Sequence, residues 1–276
     1  MVTSLQLPKA RPVTPHGILT EQLEKAVNLI EQANIPTEIA EAVQQAYQLA
    51  TGLDPYLERC TTSESEALEL LMEKTRKEPW IQRFSDGETV RQLEQEMLSG
   101  HIEGQALKLL VQMMGATRIL EIGMFTGYSA LAMAEGLPET GEIIACEVDD
   151  YVANFALDCF KASPDGDKIK VKVAPALDTM KELAAAGEVF DFVFIDADKK
   201  EYVDYFNLLL ESGLLAENGV ICVDNTLLQG QPYLSLDQQT ANGAAIAHFN
   251  RVVAEDNRVE QVLLPLRDGL TLIRRV

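Results

Sequence analysis

At 276 residues, 47% hydrophobic and 24% charged, the chain has the composition of an ordinary globular protein, long enough for one large α/β domain with an appendage or for two modest domains. Its 23 Lys and Arg against 43 Asp and Glu give a formal net charge of -20, which repels phosphate backbones and anionic lipid, so neither nucleic acid nor membrane is an expected partner. The opening "MVTSLQLPKARPVTPHG" lacks the apolar stretch of a signal peptide, and no run approaches the ~18 apolar residues of a membrane span; a cytoplasmic protein is expected.

Three prolines and no periodicity in residues 1–17 predict a mobile tail. Leu19, Leu23, Val27 and Ile30 then recur at helical spacing. Pro36 restarts a second amphipathic run through Ile39, Val43, Tyr47 and Ala50, stopped by Gly52, so a helical hairpin is predicted. Capping-box spacing of Ser63 with Glu66 predicts a third helix in "SESEALELLMEKTRK", and Ser85 with Glu88 a fourth in "SDGETVRQLEQEML". A fifth, "SGHIEGQALKLLVQMMG", ends at Gly115, which makes the first hundred residues wholly helical by this reading.

From residue 118 short β-rich runs alternate with helical ones: "RILEIG", "EIIACEV", "KIKVKVA", "FDFVFID" and "GVICVDN". This is the pattern of a parallel sheet covered by helices on both faces. "VEQVLLPL", Arg267-Asp268-Gly269 and "LTLIRRV" read as a closing β-hairpin, with Asp-Gly supplying the positive φ angles of a tight turn. The four cysteines, Cys60, Cys146, Cys159 and Cys222, have no CxxC spacing and are expected to be reduced core thiols. His16, His101 and His248 form no paired arrangement, which weighs against zinc.

Ligands of such a sheet sit beyond the carboxyl ends of its strands, so the residues after each run are informative. After the first run, Gly123 and Gly127 stand four apart rather than in GxGxxG order, a loop poorly suited to a pyrophosphate; plain backbone geometry is its other explanation. Glu147 at the end of the second run can accept both hydroxyls of a ribose, although a strand-end acid is as often only a surface residue. A ribose without a phosphate cradle points to S-adenosylmethionine, and Ala176 and Asp178 fall where the adenine edge would lie. "FIDADKKEY" carries Asp196, Asp198 and Lys199, and "CVDNT" carries Asp224 and Asn225. Singly, such acids serve equally well as helix caps. Together, two carboxylates and an amide make a hard oxygen set suited to Mg²⁺, Mn²⁺ or Ca²⁺.

In their order along residues 97–276, "EIGMFTGYSALAMAEGLP", "APALD", "IDADKKEY", "VDNTLLQG" and "DGLTLIRR" resemble the cation-dependent O-methyltransferases of the caffeoyl-CoA and catechol type. The resemblance implies a Rossmann-like class I methyltransferase fold: a mainly parallel seven-stranded sheet with a C-terminal antiparallel hairpin, plus an N-terminal helical extension. Residues 1–84 would form the tail and extension, and 85–276 the methyltransferase domain. It implies that Ser99, Glu121, Gly123, Ser129, Glu147, Ala176 and Asp198 surround S-adenosylmethionine, that Asp196, Asp224 and Asn225 hold a divalent cation, and that Lys199 is the general base. Ser99 stands where plant members have threonine and Gln229 where they have asparagine. The segment "GLDPYLERCTTSESEALELL" also resembles cyanobacterial methyltransferases that make 4-deoxygadusol. On that ground the favoured acceptor is demethyl-4-deoxygadusol, whose neighbouring oxygens could chelate the cation, with catechol or caffeoyl phenolics as the alternative. The helices before the sheet would shape either the acceptor pocket or a homodimer interface. A non-catalytic S-adenosylmethionine-binding module is the competing class.

Overall fold

The computed structural model describes residues 11–276. The tail reading therefore lies outside the described residues for its first ten positions, and it ends at Pro15, where α1 (Pro15–Glu31) begins with Thr14 as its N-cap. Proline at the first helical position and a threonine oxygen accepting from Gly17 N at 3.0 Å account for that start. α2 (Thr37–Cys60) packs back on α1 as the predicted hairpin, but it runs through Gly52 and Pro55 instead of stopping. Residues 51–60 are all exposed, so water can satisfy the one carbonyl that Pro55 leaves unbonded. Cys60 is consequently exposed, contrary to the core-thiol expectation, whereas Cys146, Cys159 and Cys222 are buried and free.

α3 (Glu66–Lys77) is capped by Ser65, which accepts from Leu68 N at 3.2 Å, not by Ser63. The predicted fourth helix is absent. Ser85 ends α4 (Trp80–Ser85) rather than starting a helix, because Asp86 N and Gly87 N close onto the Gln82 and Phe84 carbonyls and Gly87, at φ 74°, turns the chain away. Apart from one 3₁₀ turn at Gln95–Met97, residues 86–100 are irregular and reach α5 (His101–Met114), which stops at left-handed Gly115 as predicted.

The seven strands are β1 (Arg118–Ile122), β2 (Glu142–Glu147), β3 (Ile169–Val173), β4 (Phe190–Ile195), β5 (Leu215–Val223), β6 (Val259–Leu264) and β7 (Leu270–Arg275). Their order is β3-β2-β1-β4-β5-β7-β6, parallel through β5, with β7 antiparallel between β5 and β6. The hairpin loop is longer than the tight turn expected from Asp-Gly: Pro265 to Gly269 separate the strands, and the positive φ angles fall on Arg267 (48°) and Gly269 (95°).

Two apolar layers sandwich the sheet. One joins α3, α5, α6 (Tyr128–Ala134) and α7 (Asp150–Phe160), with Leu71, Leu107, Val111 and Leu131 fully buried. The other joins α8 (Ala176–Ala185), α9 (Tyr202–Glu211) and α10 (Ala241–Glu255) around Met180, Phe206 and Phe249. α3 thus shares one core with the sheet. Among the described residues no helix is long and apolar enough to cross a membrane.

Candidate active site

The chain reverses its direction of travel across the sheet between β1 and β4, and the first crevice opens there, as the topology of open α/β sheets requires. Gly123, just past β1, has φ 91°, and an added Cβ would lie 2.1 Å from the Asp196 carbonyl oxygen. Gly127 faces the Phe160 ring at 2.3 Å on the same construction. Both glycines are explained by close backbone approach. The Gly123 and Met124 amides both bond to Cys146 O, at 3.2 and 3.0 Å, so this loop does not present them to a phosphate.

Three adjoining cavities share Gly123. The first, 410 Å³, is lined by Ser99, Asp196, Asp198, Lys199, Asp224 and Asn225 among others. A second, of 230 Å³, has Glu147, Ala176 and Asp198 on its walls, and a small third reaches Ser99 and Ser129. Nearly every residue expected around the cofactor and cation is therefore gathered at one mouth. Two are not on its surface. Asp178 is exposed and pairs with Lys181 at 3.5 Å, away from the adenine position expected for it. Glu121 lies behind the wall, fully buried, and receives the Ser129 hydroxyl at 2.5 Å on one oxygen while the other has no partner.

Glu147 is held by the amides of Phe125 and Val148 at 2.8 Å and of Asp149 at 3.1 Å, so it is oriented before any ligand arrives. Burial nonetheless raises its pKa. Phe125 in turn packs on Trp80, 5.2 Å between ring centres, and Trp80 is anchored through its indole N–H to Thr75 O at 2.9 Å.

At the far side, Asp196 N bonds to Ile122 O and Asp224 N to Ile195 O, both at 2.9 Å, which extends the sheet ladder one residue and fixes both acids beside each other. Asp224 is 4% exposed; burial first, then repulsion from Asp196, lifts its pKa to about 7. Asn225 adopts φ 59°, a left-handed conformation asparagine tolerates, and donates its Nδ2 to Asp224 at 2.9 Å. Lys199 donates to Asp196 at 2.7 Å and to the Tyr202 hydroxyl at 2.9 Å, and that hydroxyl donates to Asp224 O at 3.2 Å. Burial disfavours the ammonium, but Asp196 and Tyr202 outweigh it and raise the Lys199 pKa above the ordinary lysine range. Among the described residues no group of three or more His, Cys, Asp and Glu lies close enough to hold a metal ion. The converging donors are two carboxylates and one amide.

Sequence reasoning assigned no role to Tyr202, although it closes the quoted "DADKKEY", nor to Glu103 and Arg267, which also line the large cavity. Arg11 and Val13 line it too, and α1 packs against the 228–233 segment beside it, so the N-terminal extension reaches this cavity.

Glu121 makes a pH prediction. Burial lifts its pKa from 4.5 to about 8, so the folded protein holds a proton there that the unfolded chain releases. Its contribution is fully present below pH 4.5 and lost as pH rises through 8, a change of roughly 5 kcal/mol at most. Thermal melts without ligand should show Tm falling between pH 4.5 and 8, and Glu121→Gln should flatten that slope. Equal slopes in both proteins would refute the assignment.

A mainly parallel sheet whose switch point between β1 and β4 opens onto a cavity lined by strand-end acids has the architecture of an α/β enzyme. The O-methyltransferase family profile matches residues 60–276, and the chain belongs to that family, whose members transfer a methyl group from S-adenosylmethionine to oxygen. It is 36% identical over 221 residues to caffeoyl-CoA O-methyltransferase 2 of Zea mays, covering 77% of this chain and 78% of the relative. Among solved structures it resembles the SAH-bound methyltransferase PaMTH1 of Podospora anserina, with TM-score 0.67, 29% identity, and 88% and 98% of the two chains covered. A similar match, with TM-score 0.67, 27% identity and 81% and 96% coverage, is to the O-methyltransferase TomG of Streptomyces achromogenes in complex with SAM.

Proposed function

We propose that the enzyme methylates a ring hydroxyl that has a neighbouring oxygen, using a divalent cation held by Asp196, Asp224 and Asn225, and that its acceptor is demethyl-4-deoxygadusol. The observation that carries this is the convergence of those three oxygen donors in the cavity that also contains Gly123 and Lys199. The donor set fits a hard cation: all-oxygen, with two carboxylates whose mutual repulsion is incompletely relieved, and an asparagine whose nitrogen is engaged by Asp224 so that its oxygen is left for a ligand. Mg²⁺ is the first choice, with Mn²⁺ and Ca²⁺ as alternatives. S-adenosylmethionine would fit as well, with its ribose toward Glu147 on the wall of the second cavity; Glu121, behind the wall, would act only through the Ser129 hydroxyl that it holds.

The cation would supply a Lewis acid that orients the two vicinal oxygens and acidifies the hydroxyl. The chain's own groups do the rest. Gly123 lets the loop after β1 close onto the Asp196 carbonyl at the β4 end, so a donor bound along that loop would lie beside the oxygen donors, and in-line displacement needs its methyl carbon within ~3 Å of the hydroxyl oxygen. Lys199 Nζ, aligned by Tyr202, is the atom placed to take up the hydroxyl proton once Asp196 no longer holds its charge. Arg11, Glu96, Gln229 and Asn242 give the acceptor wall a polar character that favours a small oxygenated ring.

A second reading, a caffeoyl-type acceptor, is favoured by the maize relative. Methyl transfer with Mg²⁺ across demethyl-4-deoxygadusol, caffeoyl-CoA and catechol tests both. Highest kcat/KM on the first supports the proposal, preference for caffeoyl-CoA selects the second reading, and transfer to none sinks both.

A further inference from the structure

The β6–β7 turn holds an arrangement that methyl transfer does not require. Arg267 sits at φ 48°, in the left-handed region where a side chain strains the backbone. Its guanidinium crosses Gly100, itself at φ 77°, where an added Cβ would lie 2.5 Å from Nη1 and would push the guanidinium aside. Nη2 donates to Leu98 O at 3.3 Å, and Nε faces Glu103 Oε2 at 3.5 Å. The Glu103 side chain is 2% exposed and its other oxygen has no partner.

A structural ion pair serving only to neutralise Glu103 would use a short two-pronged contact on unstrained backbone. Here one long contact leaves guanidinium donors over, and the side chain is 30% exposed on the cavity shared with Asp196, Asp224 and Asn225. The other cations on that wall are differently placed. Lys199 is bound to Asp196 and Arg11 to Glu94, at 2.7 and 2.5 Å, while Arg91 and Lys200 are exposed to solvent.

We propose that Arg267 determines acceptor specificity by hydrogen-bonding an anionic oxygen of the acceptor, a carboxylate or an enolate, and that Glu103 is the positioning residue that aims it. The inference rests on the vicinal-oxygen reading above. The acceptor is then held at two points, its vicinal oxygens toward Asp224 and its charged oxygen toward Arg267, and this hold selects which hydroxyl meets the methyl group.

The test is calorimetric titration of the full chain, loaded with SAH and Mg²⁺, with 3,4-dihydroxybenzoate (carboxylate), 2,3-dihydroxycyclopent-2-enone (enolate at neutral pH) and neutral catechol. The native chain should bind at least one anion about tenfold or more tighter than catechol, and which anion wins identifies the oxygen it reads. Arg267→Gly, which suits the left-handed φ, should bring that ratio near one. Because this change leaves Glu103 without its cation, the Glu103→Gln/Arg267→Gly double variant is measured beside it, with its melting temperature. Loss of the preference in a double variant that melts normally supports the proposal; a preference kept there, or none in the native chain, overturns it. Methyl transfer to the three compounds is assayed separately. A binding preference without transfer would overturn the functional reading and leave Arg267's role standing, and transfer without preference would do the reverse.

Discussion

Asp224→Ala should lower kcat by roughly 10³-fold or more while leaving SAH affinity within about twofold, since several kcal/mol of Lewis-acid stabilisation are lost and each 1.4 kcal/mol is tenfold in rate. Asp224 is positioned by the bond from its amide to Ile195 O, which alanine keeps, and it lines the first cavity, whereas Glu147 and Ala176, the proposed cofactor contacts, line the second. Loss of fold is not a competing explanation. Its carboxylate is buried and faces Asp196, so the native state bears its charge at a cost and removal should hold or raise the melting temperature. EDTA should reproduce the loss in the native enzyme, and added Mg²⁺ should restore it. Full turnover in EDTA would remove the cation from the proposal, and an Asp224→Ala protein with normal kcat would remove this residue from the ligand set.

The sheet was legible because four of its parallel strands carry near-continuous apolar runs, while the edge strand β3 alternates apolar residues with lysine, and all five runs became strands. The acids at their ends could be read for the same reason: a strand fixes where its next residue points. What failed lay where local signals compete with tertiary demand. Ser85 and Glu88 have capping-box spacing, but the chain must cross the strand ends there, and the amide of Val90 is tied to Asp149 at 2.7 Å. Gly52 and Pro55 look like terminators, yet a solvated helix face tolerates both. Asp178 shares its segment with Ala176 but projects from the opposite side of the first turn of α8, and nothing in the spacing distinguishes them. Glu103 and Arg267 are 164 positions apart, and only the folded hairpin brings them to one wall. Pairings of that range leave no periodicity in a single sequence.

The second large effect concerns Lys199, and the structure changes what its role requires. As it stands, Asp196 and Tyr202 hold the proton on Nζ more firmly than on an ordinary lysine, the opposite of what a base needs. Neutralising Asp196 is therefore a precondition of the base role, and this couples proton uptake to occupation of the neighbouring oxygen site. Lys199→Ala should reduce kcat by about 10²- to 10⁴-fold, the usual worth of a positioned base, with SAH affinity nearly kept because Lys199 is absent from the cavity lined by Glu147 and Ala176, the proposed adenosine site. Alanine alone cannot separate proton transfer from loss of the ion pair. Lys199→Arg does, since arginine can keep a contact with Asp196 but does not release its proton at accessible pH. If Lys199 is the base, arginine should be nearly as damaging as alanine, and both variants should lose the limb of the pH–rate profile that the lysine supplies. Arginine restoring most of kcat, or a profile unchanged in both variants, would reduce Lys199 to the counter-ion of Asp196.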